Sequence, residues 1–217
     1  MSLLNVYLAP HRALVGVDTA CGAMPGDAVA QWMARAAPGQ QMPPHVTKLF
    51  PIAHAGAVIA ARGAHTFLLD VIGPAAACGS VDELEDVLPK LLELADQAHA
   101  NRCKHFGLPA DVTHAAQELV LVGWSARESG MIATVYERTA GPSQAFTVDQ
   151  VEAWAAPWET TYGHAIEPRT DHDMLVLSRA QVSHFRRDHP GAPIGGRLIV
   201  AEVTREAIAI RQAGELG

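Results

Sequence analysis

The order of predicted elements along the sequence indicates an α+β fold, with antiparallel sheets covered by helices. Paired strands come first, followed by a long helix, further strands, one more helix and a last pair of strands. This grouping is typical of α+β proteins, whereas a doubly wound parallel sheet alternates strands with helices. With 217 residues and 49% hydrophobic content, the chain is long enough to bury a sizeable core and is interpreted as one domain over residues 1–217.

Two hairpins are predicted near the start of the chain. Short runs of β-forming residues lie on both sides of Ala9-Pro10-His11-Arg12, which has the composition of a turn. A second pair of runs, Val46 to Ile52 and Ala57 to Ala61, meets at His54-Ala55-Gly56. Residues 23 to 44, between the hairpins, carry several Pro and Gly residues and are interpreted as an inserted excursion.

A long helix is predicted from Ser80 to Gly107. Ser80 and Glu83 have the spacing of a capping box, and apolar residues recur at helical intervals up to the glycine. Pro89 is expected to kink this helix. The apolar stripe is interpreted as the face that the helix buries in the core.

The second half of the chain predicts two more hairpins and another helix. Residues alternate in hydrophobicity from Leu119 to Trp124 and from Met131 to Glu137, which predicts the third hairpin. A helical segment from about Asp171 to Arg187 precedes the fourth hairpin, formed by Leu198 to Val203 and Ala207 to Ile210.

Composition argues against several functional classes. The formal net charge is -7, with no basic run, so the chain would repel phosphate backbones and nucleic acid is not an expected partner. The three cysteines, Cys21, Cys78 and Cys103, have neither the even number of a disulfide framework nor zinc-site spacing, which predicts reduced thiols in the cytoplasm. The first residues do not have the pattern of a signal peptide, and no run approaches about 18 apolar residues, so no membrane partner is expected.

No cofactor or metal is expected from the motifs either. The sequence has no GxGxxG, no P-loop and no HExxH spacing among its eleven histidines. Asp171, His172 and Asp173 could imitate a metal cluster, but carboxylates in a first helical turn are explained by the helix dipole. Cys21 is a weaker candidate for a nucleophile, because neither a helix N-terminus nor a paired histidine is evident near it.

Three polar residues at strand ends form the candidate site. Ser2 precedes the first strand, Asp18 ends the second strand sixteen positions later, and Lys48 lies at the third, in "TKLFPI". Together with "AARG", which ends at Gly63, and "RRDHPGAPIGGRLIVAEVTRE" near the C-terminus, this pattern resembles the proteasome β-subunit family of N-terminal nucleophile hydrolases. The resemblance extends from Ser2 to about Gln212.

The resemblance implies a four-layer αββα sandwich of two antiparallel sheets and a hydrolase that cleaves amide bonds, with peptides as substrates. Ser2 would act as the nucleophile after removal of Met1. Because proteasome-like subunits assemble in rings, a homo-oligomer is also implied.

The resemblance also implies a role for each further site residue. Asp18 and Lys48 would activate the nucleophile, the backbone amide of Gly63 would form the oxyanion hole, and Asp188 would be the accessory acid. The sequence departs from the family pattern in using Ser instead of Thr and in the longer connection between Asp18 and Lys48. The accessory loop, where the family has a Gly- and Ser-rich segment, reads "AAPWETTYGH" and offers no accessory serine, although Thr160 and Thr161 lie nearby in the sequence.

The chemistry of these residue types explains why the start of the chain would need to be held in place. A serine hydroxyl is a poor nucleophile until a base takes its proton, and an N-terminal α-amine, with a pKa of about 7.7–8.0, can be that base. A lysine ammonium beside Ser2 would lower the pKa of the hydroxyl, and Asp18 would keep Lys48 ionised and oriented. Because the excursion leaves after Asp18 and returns before Lys48, we expect it to lie beside the mouth of the site.

Two other functions fit the same residues. The chain could be a non-catalytic subunit that builds a ring or a phage-type particle, or an amidase or acylase that acts on small molecules. In the first case Asp18 is a turn cap and Lys48 a strand residue that extends its ammonium to solvent.

Overall fold

The structure, a computed structural model, describes residues 2–22, 45–141, 145–157 and 167–217. The predicted excursion at 23–44 and the residues Thr160 and Thr161 lie outside these ranges. The strands of the described part are β1 (Leu4–Ala9), β2 (Arg12–Asp18), β3 (Leu49–Ile52), β4 (Ala57–Arg62), β5 (Gln117–Ser125), β6 (Gly130–Arg138), β7 (Thr147–Gln150), β8 (Ala153–Ala156), β9 (Arg197–Thr204) and β10 (Ile208–Glu215).

These strands form two antiparallel sheets of five strands each. The first sheet has the order β10-β9-β2-β1-β8, and the second has the order β3-β4-β5-β6-β7. All four predicted hairpins are present, as β1–β2, β3–β4, β5–β6 and β9–β10. The short strands β7 and β8, each at an edge of its sheet, were not predicted.

The helices are α1 (His65–Ala75), α2 (Val81–His105), α3 (Ala110–Thr113) and α4 (Asp171–Asp188). Helix α2 begins as predicted, because the Ser80 side chain accepts a hydrogen bond from the backbone N–H of Glu83. Helix α4 also agrees with the sequence, whereas α1 was not predicted. None of the helices in the described part of the chain is both long and apolar enough to cross a membrane.

Three clusters of buried apolar residues join the two sheets to each other and to the helices. One cluster, with Val15 and Val120, joins the first sheet to the second. Another, with Leu88, packs α1 and α2 against the second sheet, and a third, with Leu14 and Phe185, packs α4 against the first sheet. The chain therefore has the predicted α+β architecture, and the packing is compatible with a sandwich of two sheets.

A buried amide pair fixes β1, and with it the start of the described chain, to α4. Asn5 is fully buried, and its side chain and that of Gln181 donate to each other over 2.6 and 2.9 Å. The Asn5 amide also donates to the hydroxyl of Ser178. Because both polar groups of Asn5 are satisfied only in this position, the pair sets how β1 sits on the helix.

Asp82, in the first turn of α2, holds the turn between β5 and β6. Its carboxylate accepts the Ser125 hydroxyl at 2.5 Å and the backbone N–H groups of Ala126 and Arg127, both at 3.1 Å. The hydrogen bond from Ser125 is the largest of the influences that lower the pKa of Asp82 below its ordinary value of 3.8. The folded state therefore favours the charged carboxylate.

We expect this preference to make stability depend on pH. Because the pKa of Asp82 is lower in the folded than in the unfolded chain, its contribution is fully present above the unfolded pKa and is lost as pH falls through the folded pKa. Denaturant unfolding of the wild type and Asp82→Asn should therefore differ most near neutral pH and converge in acid. A stability difference between the two proteins that does not change with pH would contradict the lowered pKa of Asp82. Asp149→Asn, on the exposed strand β7, is the control.

Candidate active site

A cavity of about 710 Å³ opens beside the start of the chain. Its lining includes Ser2, Lys48 and Gly63, three of the residues predicted from the sequence. Other parts of the wall include the segment after β2, the end of β4, the first turn of α1, the last turns of α2, the start of β5 and the end of β6. Residues that lie far apart in the sequence thus line one cavity.

Asp18 and Lys48 form a buried ion pair at this cavity. The Lys48 ammonium donates to Asp18 Oδ1 at 2.7 Å and to the backbone carbonyl oxygen of Ala20 at 2.6 Å. The exposed fraction of Asp18 is 0%, and that of Lys48 is 6%. Lysine has three N–H donors, so these two acceptors fix the ammonium and leave one donor for a group on the cavity side.

The same carboxylate also binds the backbone on two sides of the site. The N–H of Leu3 donates to Asp18 Oδ1 at 2.8 Å, and the N–H of Gly195 donates to Asp18 Oδ2 at 2.9 Å. The first contact follows from the β1–β2 register, which pairs Leu4 with Val17 and so places Leu3 opposite Asp18. One carboxylate oxygen therefore joins the Lys48 ammonium to the residue that follows Ser2.

Ser2 directly precedes the residue whose backbone N–H binds Asp18. It is 6% exposed and lines the cavity together with Lys48. The structure thus brings Asp18 and Lys48 into direct contact and anchors the peptide after Ser2 to the same oxygen atom. A serine and a buried ammonium thus line one cavity, and a positive charge close to a serine hydroxyl is one of the ways in which proteins activate it.

Gly63 follows β4 in the wall of the same cavity and has a backbone conformation that favours glycine. Its φ is +126°, and an added Cβ would collide with the side-chain oxygen of Gln117 and lie 3.0 Å from the carbonyl oxygen of Ala116. The absence of a side chain here lets the backbone itself form the cavity wall, as a backbone oxyanion donor requires.

Asp188 does not lie with the other predicted residues. It is the last residue of α4, its side chain is 48% exposed, and its carboxylate is 3.6 Å from the guanidinium of Arg187. It is absent from the described residues that line the cavity. From this part of the chain, the group that reaches Asp18 is the backbone N–H of Gly195.

Both ends of the excursion are at the cavity. Cys21 and Gly22, before it, and Val46, after it, line the wall, and an isolated β-bridge pairs Ala20 with His45. The segment 23–44 itself lies outside the described residues, so its expected place beside the mouth of the site stays a prediction.

A row of charged residues on β4, β5 and β6 was missed by sequence reasoning. The register pairs Arg62 with Glu118 and Glu118 with Glu137, and all three line the cavity. Glu118 accepts from Arg62 at 3.1 Å and from the Trp154 indole at 2.7 Å. Burial nevertheless raises the pKa of Glu118 above its ordinary 4.5, because desolvation outweighs both contacts. The residues are adjacent only through strand register, which composition does not reveal.

The C-terminal half of α2 adds a histidine and a cysteine that were also missed. His99 Nε2 lies 3.5 Å from Cys103 Sγ, and both residues are buried in the cavity wall. Desolvation lowers the pKa of His99 below its ordinary 6.5, which favours the neutral imidazole. The signal was their spacing of four residues, which places both on one helix face.

Comparison with known proteins gives no family for this chain. No protein-family model matches the sequence, and no curated protein matches it. Within the described residues, no group of three or more His, Cys, Asp or Glu side chains could hold a metal ion. The functional interpretation therefore rests on the geometry of the cavity.

Proposed function

We propose that this chain is a proteasome-like N-terminal nucleophile hydrolase that cleaves amide bonds, with peptides as its substrate class. The observation that carries the proposal is the buried Asp18 carboxylate. One of its oxygens binds both the Lys48 ammonium and the N–H of Leu3, directly after Ser2. In this proposal the two sheets and the helices that pack on them form a four-layer αββα sandwich.

The α-amine of Ser2 is the general base of the proposed reaction. Once Met1 is removed, this amine has a pKa of about 7.7–8.0 in the absence of perturbation, so a useful fraction is unprotonated near neutral pH. The Lys48 ammonium lowers the pKa of the Ser2 hydroxyl by its positive charge. Asp18 supplies the counterion that keeps this lysine charged although it is almost completely buried.

The proposed reaction forms and breaks one ester. Ser2 Oγ attacks the carbonyl carbon of the amide while its proton passes to the α-amine, which gives a tetrahedral oxyanion. The intermediate expels the amine product, which leaves with that proton, and an acyl ester on Ser2 results. Water, deprotonated by the same α-amine, then attacks the ester, and the carboxylic acid leaves as Ser2 Oγ takes back the proton.

Gly63 is the proposed oxyanion donor. It lines the same cavity as Ser2, and its backbone conformation leaves no room for a side chain. Removal of one oxyanion-hole donor, there a side-chain amide, costs about 2.7–4 kcal/mol of transition-state stabilisation in another hydrolase.

A homo-oligomeric ring is part of the proposal through the family resemblance. The alternative functions, a non-catalytic building block and a small-molecule amidase or acylase, differ from it in measurable ways. A building block needs no free Ser2, and an acylase would prefer small acyl amides to peptides.

The test is turnover by protein whose first residue is known. Intact mass establishes whether Met1 is absent, and the processed protein is then assayed with a broad set of quenched peptides and small acyl amides. We expect peptide hydrolysis that falls by more than about 10³-fold in Ser2→Ala, because the nucleophile is removed. Ser183→Ala, at an exposed position of α4, is the matched control and should keep full activity. Retained Met1, or no turnover by processed protein, would favour the building block.

A further inference from the structure

Gln117 is a buried glutamine in the cavity wall that the proposed reaction does not yet use. It is the first residue of β5, and only 1% of its surface is exposed. Its side-chain oxygen accepts a hydrogen bond from the backbone N–H of Ala64 at 2.9 Å. The same oxygen lies against the backbone of Gly63, at the position that a Cβ would occupy.

These two contacts occur where the ladder between β4 and β5 ends. The last pair in the register is Arg62 with Glu118, and the side chain of Gln117 binds the chain just beyond it. Glycine has no side chain to restrict its own rotation, so the φ and ψ of Gly63 are limited by what holds the chain on either side of it, namely β4 before it and the Gln117 clamp on the peptide after it. With both sides held, the Gly63 N–H keeps one direction relative to the sheet.

The wall behind Gln117 is itself firmly held. Strand pairing places Gln117 beside Arg138, whose side chain is 1% exposed. The Arg138 guanidinium donates to the carbonyl oxygen of Ala115 at 2.8 Å and lies 3.1 Å from the Asp96 carboxylate. The clamp on Ala64 therefore extends from a buried, paired part of the sheet.

The other end of the amide helps to explain why a glutamine is present. Gln117 Nε2 is buried and has no hydrogen-bond partner among the described residues. An unpaired buried donor is destabilising, and an apolar side chain of similar shape would avoid it. The contact that explains a glutamine here is therefore the one that its oxygen makes with the N–H of Ala64.

We infer that Gln117 is a positioning residue that aims the Gly63 N–H at the oxyanion by holding the following peptide through Ala64. The inference rests on the proposed function, in which Gly63 is the oxyanion donor. Preorganised donors of this kind act because they need no reorganisation during the reaction. Gln117 itself does not contact the reacting atoms.

Variants of Gln117 separate this role from a general effect on folding. Gln117→Met removes the acceptor oxygen while the side chain keeps a similar length. Gln117→Asn keeps the amide, but its side chain is one methylene shorter and does not reach Ala64. Gln117→Glu keeps an acceptor oxygen, and Arg138 lies beside it. Two quantities are measured, namely hydrogen exchange of the Ala64 amide and the kinetics of peptide hydrolysis. Thermal unfolding is used to check that each variant is folded. If Gln117→Met is not folded, the conclusion is drawn from Gln117→Asn.

In Gln117→Met and Gln117→Asn we expect exchange at Ala64 to become at least about 10-fold faster, because its hydrogen bond is lost. Because complete loss of one oxyanion donor costs about 10²–10³ in kcat, misdirection of the donor should lower kcat by about 10–100-fold and leave KM within about threefold. Gln117→Glu should restore both values towards those of the wild type.

Slow exchange at Ala64 in Gln117→Met and Gln117→Asn, or fast exchange there with unchanged kcat, would overturn the inference. Absence of turnover in the processed wild type would instead overturn the proposed function. In that event the exchange data still decide whether Gln117 holds the Gly63–Ala64 peptide.

Discussion

Lys48→Ala is expected to abolish peptide hydrolysis, with a loss in kcat/KM of at least about 10³-fold. The Lys48 ammonium is fixed by Asp18 and Ala20 and lines the same cavity as Ser2, so its removal takes away the charge that activates the hydroxyl in the proposed reaction. The measurement is kcat/KM on the peptide identified with the wild type. Lys90→Ala is the matched control and should have no effect, because the Lys90 side chain is 69% exposed on α2.

Stability separates this outcome from a purely structural role for Lys48. In the variant, Asp18 still accepts the N–H groups of Leu3 and Gly195, so part of its buried charge stays compensated. We therefore expect a folded variant whose loss of stability is smaller than the roughly 3–5 kcal/mol of a fully uncompensated buried charge. Wild-type turnover in Lys48→Ala would contradict the catalytic role. A wild type without activity, with a stability loss near 3–5 kcal/mol in the variant, would support the building block.

Asp18→Ala should have the larger effect on the fold. The substitution leaves the buried Lys48 ammonium without its counterion and the N–H groups of Leu3 and Gly195 without their acceptor. The expected loss in the free energy of unfolding is about 3–5 kcal/mol, and the start of the chain should lose its fixed position. Hydrolysis should be lost as well, because both Ser2 and Lys48 depend on this carboxylate.

Denaturant unfolding of Asp18→Ala, beside Asp149→Ala on the exposed strand β7, measures this loss. Asp149→Ala should change stability little, since substitutions at exposed positions without such contacts are usually within about 0.5 kcal/mol. A loss below about 1 kcal/mol in Asp18→Ala would mean that the ion pair contributes little to the fold.

The hairpins could be predicted because their signals are local. The turn between Ala9 and Arg12 lies between two runs of β-forming residues, and the observed β1–β2 register closes there. Helix α2 was recognised from its cap at Ser80 and its apolar period. Helix α1 was missed because it has no side-chain cap at Ala64 and contains Pro74. Strand β7 was missed because its four residues are all exposed and carry no apolar alternation.

The proximity of candidate-site residues was predictable where those residues lie at strand ends within short, recognisable segments. Asp18 and Lys48 met this condition, and the structure places them 2.7 Å apart. Gln117, Glu118 and Glu137 did not, because their proximity to the cavity depends on how β4, β5 and β6 pair. Asp188 was assigned by resemblance alone, and the structure gives it a partly exposed position at the end of α4.

The chemical state of Ser2 during turnover tests the central claim most directly. Processed protein is mixed with a peptide that carries an activated ester, quenched in acid and mapped by peptide mass spectrometry. The acid keeps the α-amine protonated, so the acyl group cannot migrate from oxygen to nitrogen. The proposed function predicts one acyl group, removable by hydroxylamine, on the Ser2 hydroxyl in the wild type, and none in Ser2→Ala. An acyl group on another residue, or an unmodified Ser2 in protein that hydrolyses the ester, would contradict it.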